Sequence, residues 1–268
     1  MNIEECRHAF VTGGASGIGL GVAEALADRG ISVTIADVDA DAAGRAEASR
    51  PDRFFAVSLD VRDRAAWVAA KTAAEARFGP IDILVNNAGV SFDGLEIADT
   101  PPEVFEQVLA INLMGVFNGV AVVGPDLRAR GRGHIVNTAS VMGLLPGLSG
   151  MGAYSASKSA VVALSEALRA EMKPHGVGVS VLCPGLVTSN LRANTVKLGG
   201  VIRNAERTAA ARPTAMSARA AGEIVVQGVA DDLPYLLTHA EHLDHVARRV
   251  ELIRQSCSGR PESPSRSN

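Results

Sequence analysis

Short apolar runs alternate with longer segments of helical periodicity along nearly the whole chain, and this alternation constrains the fold more than any other feature. His8-Ala-Phe-Val-Thr-Gly, Ser32 to Asp37, Phe54 to Leu59, Ile81 to Val85, His134 to Thr138 and Val177 to Leu182 read as strands. Helical patterns follow them over Ile18 to Arg29, Ala40 to Ser49, Arg64 to Phe78, Pro102 to Ile111 with Leu113 to Arg130, and Tyr154 to about Pro174. A helix near Ala218 to Ala230 leads into Pro234 to Thr238, an edge strand because its proline cannot donate to a ladder. A helix at Ala240 to Gln255 closes the pattern. Strands that alternate with helices form a parallel sheet covered on both faces, and right-handed crossovers make it doubly wound. The expectation is an α/β fold with a single sheet of about seven strands.

No linker or repeat interrupts the alternation, so residues 1–257 are expected to form one domain, followed by a Ser/Pro/Arg-rich, disordered tail at 258–268. Residues 188–217 break the pattern. They are rich in Ala, Arg, Asn and Thr and follow directly on a strand end, which predicts a substrate lid. A formal net charge of −3 argues against nucleic acid or an anionic membrane as partner. No run of 18 apolar residues is present, so no membrane span is expected. Three widely spaced cysteines form no metal or disulfide pattern, and an acidic start without a signal core fits the cytoplasm.

After the first strand comes Thr12-Gly13-Gly14-Ala15-Ser16-Gly17-Ile18-Gly19. Its glycines allow a tight turn and close approach of the backbone to a pyrophosphate, at the amide end of the following helix. This is a Rossmann-like arrangement, although the spacing differs from Gly-x-Gly-x-x-Gly. Asp37 ends the second strand, where a carboxylate accepts the adenosine-ribose hydroxyls and repels a 2′-phosphate. No Arg or Lys lies within the glycine loop or directly after Asp37, so NAD is favoured over NADP. Asp39 reads as the cap of the next helix. Asp60-Val61 follows the third strand, where Asp60 either meets the adenine amino group or caps the helix of Trp67. Asn86-Asn87-Ala88-Gly89 follows the fourth strand, with asparagines suited to tie loops together and small residues on which the adenosine ribose can lie.

Tyr154-Ser-Ala-Ser-Lys158 places a phenol and an ammonium one helical turn apart, with Cβ atoms about 6 Å apart on one face. A cation there favours phenolate, so the tyrosine pKa is expected below its usual value of about 10. Such a tyrosine exchanges protons with an alcohol or a carbonyl near neutral pH. Ser140 lies 14 positions earlier, at the end of the fifth strand, where its hydroxyl can hold an oxygen that gains alkoxide character.

Taken in this order, Thr12 to Gly19, Asn86 to Gly89, Asn112, Ser140, Tyr154 with Lys158, and Pro184-Gly185 resemble the short-chain dehydrogenase/reductase family, over roughly residues 7 to 240. The resemblance implies Tyr154 as general acid/base, and Lys158 as the group that tunes it and binds the nicotinamide ribose. Asn112 would perturb its helix and hold a water that leads protons from the lysine to solvent. Pro184, Gly185, Val187 and Thr188 would bind the nicotinamide end, and the whole would be a homotetramer or homodimer packed through helices near 102 to 130 and 153 to 173.

Candidates for the substrate pocket are Ser91, Phe92, Val141, Met142, Leu144, Leu145, Met151, Leu186, Leu191 and parts of 192 to 215. The named set is largely apolar and points to a hydrophobic, cyclic or aromatic, secondary alcohol or its ketone. Two other readings stay open: an NADPH-dependent 3-oxoacyl carrier ketoreductase, against which Asp37 counts, and a non-catalytic NAD(H) sensor, which needs neither Ser140, Tyr154 nor Lys158.

Overall fold

The structure is a computed structural model that describes residues 3–91, 94–145, 147–197 and 215–256. Seven strands form one parallel sheet: β1 (His8–Thr12), β2 (Ser32–Asp37), β3 (Phe54–Ser58), β4 (Ile83–Asn86), β5 (Gly133–Thr138), β6 (Val177–Cys183) and β7 (Tyr235–Leu237). Their order is β3-β2-β1-β4-β5-β6-β7. The chain therefore builds outward from β1 to one edge, returns, and builds from β4 to the other. Ligands bind such sheets at the carboxyl ends of the strands beside that reversal, here β1 and β4.

Burial explains why the strands read as continuous apolar runs. Every residue of β1, β4 and β5 is buried, because helices cover both faces, whereas the edge strands β3 and β7 each leave residues exposed. On one face α1 (Gly17–Ala27) and the helix Ala218–Ala230 pack together, with Val22, Leu26, Val225 and Val229 buried against Val11, Ile35 and Leu182. On the other face lie α3 (Arg64–Phe78), α4 (Pro102–Leu109), α5 (Gly115–Arg130) and α7 (Gly152–Met172). Trp67 of α3 is fully buried there and stacks on Phe10 of β1 with ring centroids 5.5 Å apart. Side chains of this size contribute about 1.5–3 kcal/mol each when fully buried. Among the described residues the remaining helices are α2 (Ala40–Ser49), the short α6 (Val141–Leu144), α8 (Leu191–Lys197), α9 (Ala218–Ala230) and α10 (Leu243–Gln255).

Three expectations change. The helices expected at 102–111 and 113–130 are one continuous helix, joined through a π-helical segment, Ala110–Met114, that carries Asn112. Joined, Pro102–Arg130 has 29 residues and an 18-residue window of mean hydropathy 1.8, long and apolar enough to cross a membrane. The sequence criterion of 18 unbroken apolar residues missed it. Half of that window is buried in the fold, against α3, β4 and β5, as a core helix would be. The closing helix begins with a 3-10 turn at Ala240–His242, and α10 proper has no buried residue. The tail at 258–268 and the lid residues 198–214 lie outside the described residues.

Candidate active site

The loop from β1 to α1 turns back on itself because Gly13 and Gly17 adopt positive φ, +59° and +51°. Gly19 is needed for a different reason. A Cβ there would stand 2.2 Å from the Gly13 carbonyl oxygen and 2.6 Å from Asn87 Nδ2. Asn87 stitches this loop to the end of β4. Its Nδ2 donates to the carbonyls of Thr12 (3.0 Å) and Gly13 (3.3 Å), while Thr12 Oγ1 accepts from the amides of Asn87 (2.9 Å) and Ala88 (3.0 Å). Ser16 is the N-cap of α1, yet its hydroxyl makes no capping bond. Ser16, Gly17 and Ile18 line the cleft at this helix N-terminus, an arrangement suited to a phosphate.

Two connected cavities run over the strand ends. The larger, about 500 Å³, extends from Gly13, Ser16 and Gly89 past Asp37, Asp60 and Val61 to Arg45 and Lys197. The smaller, about 130 Å³, is lined by Ser16, Ile18, Asn87, Ser140, Tyr154, Lys158, Pro184, Gly185 and Val187. Both share Gly13, Ser16, Ala88 and Gly89, so one groove leads from Asp37 to Tyr154.

Asp37 accepts from the amides of Ala15 and Asp39, each at 3.1 Å, which fixes its carboxylate at the groove edge. Asp39 caps α2 by accepting from Ala42, as expected. Asp60 is not the cap of α3. Asp63 accepts from Ala65 and Ala66 in that role, while Asp60 forms a forked pair with Arg62. Sequence adjacency also missed the cations at this end. Tertiary contact brings Arg45, Arg62 and Lys197 to the cavity, with Lys197 on Asp39 at 3.2 Å.

At the other end, Lys158 Nζ donates to the Thr138 carbonyl at 2.9 Å. Ser140 caps α6, accepting from Met142 N at 3.1 Å. Asn112 does not line the groove. It is fully buried behind it, with Oδ1 accepting from Val90 N and Nδ2 donating to Val90 O and to Ser157 Oγ. Ser157 in turn donates to the Tyr154 carbonyl at 2.7 Å. A Cβ on Gly89 would lie 3.2 Å from Asn112 Oδ1 and 3.4 Å from Lys158 Nζ, so both side chains converge on one glycine.

The expected low tyrosine pKa is not found. Burial pushes the Tyr154 phenol above its usual value, and a hydrogen bond with Ser140 opposes this only in part. Burial likewise pulls the Lys158 ammonium down to about 8. The spacing anticipated attraction between charges but not the desolvation that a dry site imposes on each of them.

Thr188 is exposed and not part of the groove lining. Its amide donates to Met216 O at 2.9 Å. Of the expected substrate residues, Leu191 and, from the stretch 192 to 215, Asn194 line the smaller cavity, Val141 and Ser91 are buried, and Phe92 lies outside the described residues. The sequence reading also overlooked residues 238–249, which pack beside Gly185 and Leu144. Their signal was compositional: His239, His242 and His245 are three of the chain's six histidines.

A doubly wound sheet carries a glycine turn, an acidic second-strand end and a Ser-Tyr-Lys cluster along one groove. The chain belongs to the short-chain dehydrogenase/reductase family, since the model of short chain dehydrogenases matches residues 7–198. A Cα-dehydrogenase from Sphingobium sp. is 33% identical over 270 residues, 96% of this chain and 88% of that protein. A protein named as an oxidoreductase, EphD, from Mycobacterium tuberculosis is 42% identical over 190 residues, 69% of this chain. The match is 32% of EphD, so this chain spans about a third of the length of that relative. A Burkholderia phymatum short-chain dehydrogenase/reductase solved in complex with NAD is 32% identical, with a TM-score of 0.86 over 100% of both chains.

Proposed function

We propose that this protein is an NAD-dependent dehydrogenase that interconverts a secondary alcohol and its ketone. The observation that carries the reading is the single groove with Asp37 at one end and Ser140, Tyr154 and Lys158 at the other. Its residues fit a dinucleotide. Gly19 admits no side chain, the Ser16 hydroxyl makes no capping bond, and Ser16, Gly17 and Ile18 at the N-terminus of α1 line the groove.

Asp37 would hold the adenosine ribose, with Asp60 and Val61 beside the adenine. Gly13, Ser16, Gly17, Ile18 and Gly19 would hold the pyrophosphate. Asn87, Ala88 and Gly89 would form the wall, and Pro184, Gly185 and Val187 with Thr188 would hold the nicotinamide end. NAD is favoured by Asp37 itself, and two of the three basic side chains that line its cavity are engaged by other carboxylates: Lys197 by Asp39, Arg62 by Asp60. When bound, the nicotinamide supplies hydride acceptance and donation.

The chain's own residues handle the proton. Ser140 holds the substrate oxygen as it gains charge, and Tyr154 moves its proton. Lys158 favours the phenolate and binds the nicotinamide ribose. Asn112, anchored on Val90 and Ser157, holds the path from Lys158 towards solvent. Residues 188–217 act as the lid, of which residues 188–197, with α8, and 215–217 are described. Helices 102–130 and 152–172 serve as the faces of a homotetramer or homodimer, with Met114 and Phe117 exposed on the first. We place the protein in the cytoplasm, consistent with three cysteines too widely spaced in sequence to form a disulfide framework.

A panel of secondary alcohols with NAD, followed as NADH absorbance, tests the reading. Cyclic or aryl alcohols are expected to outperform polyols. Tight NADH binding with no turnover of any alcohol or ketone would instead favour a sensor.

A further inference from the structure

The segment that follows β7 crosses from one wall of the substrate end to the other. At its start, the Gly185 amide donates to Thr238 Oγ1 at 2.9 Å, and Thr238 Oγ1 shares a 2.6 Å hydrogen bond with His239 Nδ1. At its far end, Arg249 donates to the Leu144 carbonyl at 2.8 Å. Leu144 ends the helix that Ser140 caps, and Gly185 lines the same cavity as Ser140 and Tyr154. The two walls are themselves joined, because Val141 N donates to the Pro184 carbonyl at 3.0 Å. Residues 239–249 therefore run from Gly185, which lines the cavity of Ser140 and Tyr154, to Leu144 at the end of the helix that Ser140 caps.

Two imidazoles occupy this position. A Cβ on Gly185 would stand 2.7 Å from His239 Nδ1 and 3.0 Å from His242 Nε2, so the missing side chain is what lets both rings approach the turn. The rings are 6.0 Å apart. His239 is held through Thr238. His242 is only partly buried, and among the described residues it makes no hydrogen bond. An imidazole beside Gly185 that has no protein partner has donor capacity left for a ligand.

We propose that His242 is a specificity-determining residue, which donates a hydrogen bond to a second oxygen of the substrate, with His239 as the positioning residue that holds the turn beneath it. The preferred substrate class is then a secondary alcohol that carries a further hydroxyl, carbonyl or ether oxygen a few bonds from the carbinol carbon. This rests on the dehydrogenase reading and refines its largely apolar pocket. A donor that bonds the second oxygen of a bound substrate favours that substrate over the analogue lacking the oxygen, by about the net worth of one hydrogen bond.

The test compares size-matched cyclic secondary alcohols with and without the second oxygen, using the full chain and NAD. The expected result is a preference in kcat/KM for the oxygen-bearing alcohol that falls about tenfold in His242→Leu, expressed in KM rather than kcat. His242→Gln, which retains an N–H donor, is expected to recover much of that preference. Absence of the preference in the wild type, its persistence in His242→Leu, or an equal KM increase for both alcohols would overturn the assignment while leaving the dehydrogenase reading intact. If the wild type binds NADH yet oxidises neither alcohol, that reading falls and the role of His242 falls with it.

Discussion

Asn112 and Val90 exchange two hydrogen bonds, Oδ1 accepting from the Val90 amide at 2.8 Å and Nδ2 donating to its carbonyl at 2.9 Å. The asparagine thus pairs with the strand β4 extension as a neighbouring strand residue would. It can do so because it lies in the π-helical segment Ala110–Met114, where the helix's own bonding is irregular. Its second donor reaches Ser157, which ties this junction to the helix of Tyr154.

Replacing Asn112 with Leu leaves both Val90 groups and Ser157 without that partner in a dry interior. The expected loss is about 2–4 kcal/mol of stability, from groups that each cost roughly 1–3 kcal/mol when left unsatisfied. Urea denaturation measures it. An unchanged midpoint would show that water replaces the side chain, and the asparagine would then have no structural role.

Tyr154→Phe keeps the ring and its packing but removes the proton-transferring hydroxyl. Turnover is expected to fall by at least 10²-fold, within the range of about 10²–10⁴ for acid–base catalysis, while NADH binding is retained. Steady-state kinetics beside a fluorescence titration decide it, and near-normal turnover would remove Tyr154 from the mechanism.

Lys158 is charged at a cost. Burial lowers its folded pKa from 10.5 to about 8, so the unfolded chain holds its proton more tightly than the folded one. Stability therefore rises as pH increases from about 8 to 10.5, and the full penalty applies below 8. That penalty is on the order of 3 kcal/mol, offset by about 1 kcal/mol for the bond to Thr138. Lys158→Met is expected to melt higher at pH 7 than the wild type, without ligand, and to lose turnover. A lower melting temperature would mean that the ammonium stabilises the fold.

Gly19→Ala drives a methyl group into the Gly13 carbonyl, 2.2 Å away, and into Asn87. The backbone cannot yield without moving the glycine turn. NADH affinity is expected to fall by more than tenfold, with a stability loss of about 1–3 kcal/mol typical of overpacking. Calorimetric titration would expose a benign substitution at once.

Asp37→Ser removes the carboxylate at the end of β2 that accepts from Ala15 and Asp39. The ratio of NADH to NADPH affinity is expected to fall by tenfold or more, helped by the nearby Arg45. If wild-type affinities already favour NADPH, the assignment of NAD is wrong at its root.

Periodicity alone carried the sheet, its strand number and nearly every helix, because strands buried on both faces must be continuously apolar and covering helices must be amphipathic. The glycine turn, Asp37, Ser140, Tyr154 and Lys158 were legible too, since local spacing and strand ends dictate where those side chains stand. Tertiary structure decided the rest. It chose Asp63 over Asp60 as a cap, joined two helices through Asn112, and gathered Arg45, Arg62 and Lys197 around one cavity. It also set His239 and His242 against Gly185, from residues more than 50 positions away in the chain. Spacing specifies which charges can meet along a helix, but desolvation depends on everything packed around them. For that reason the sequence named the tyrosine and lysine, and only the folded interior showed burial raising one pKa and lowering the other.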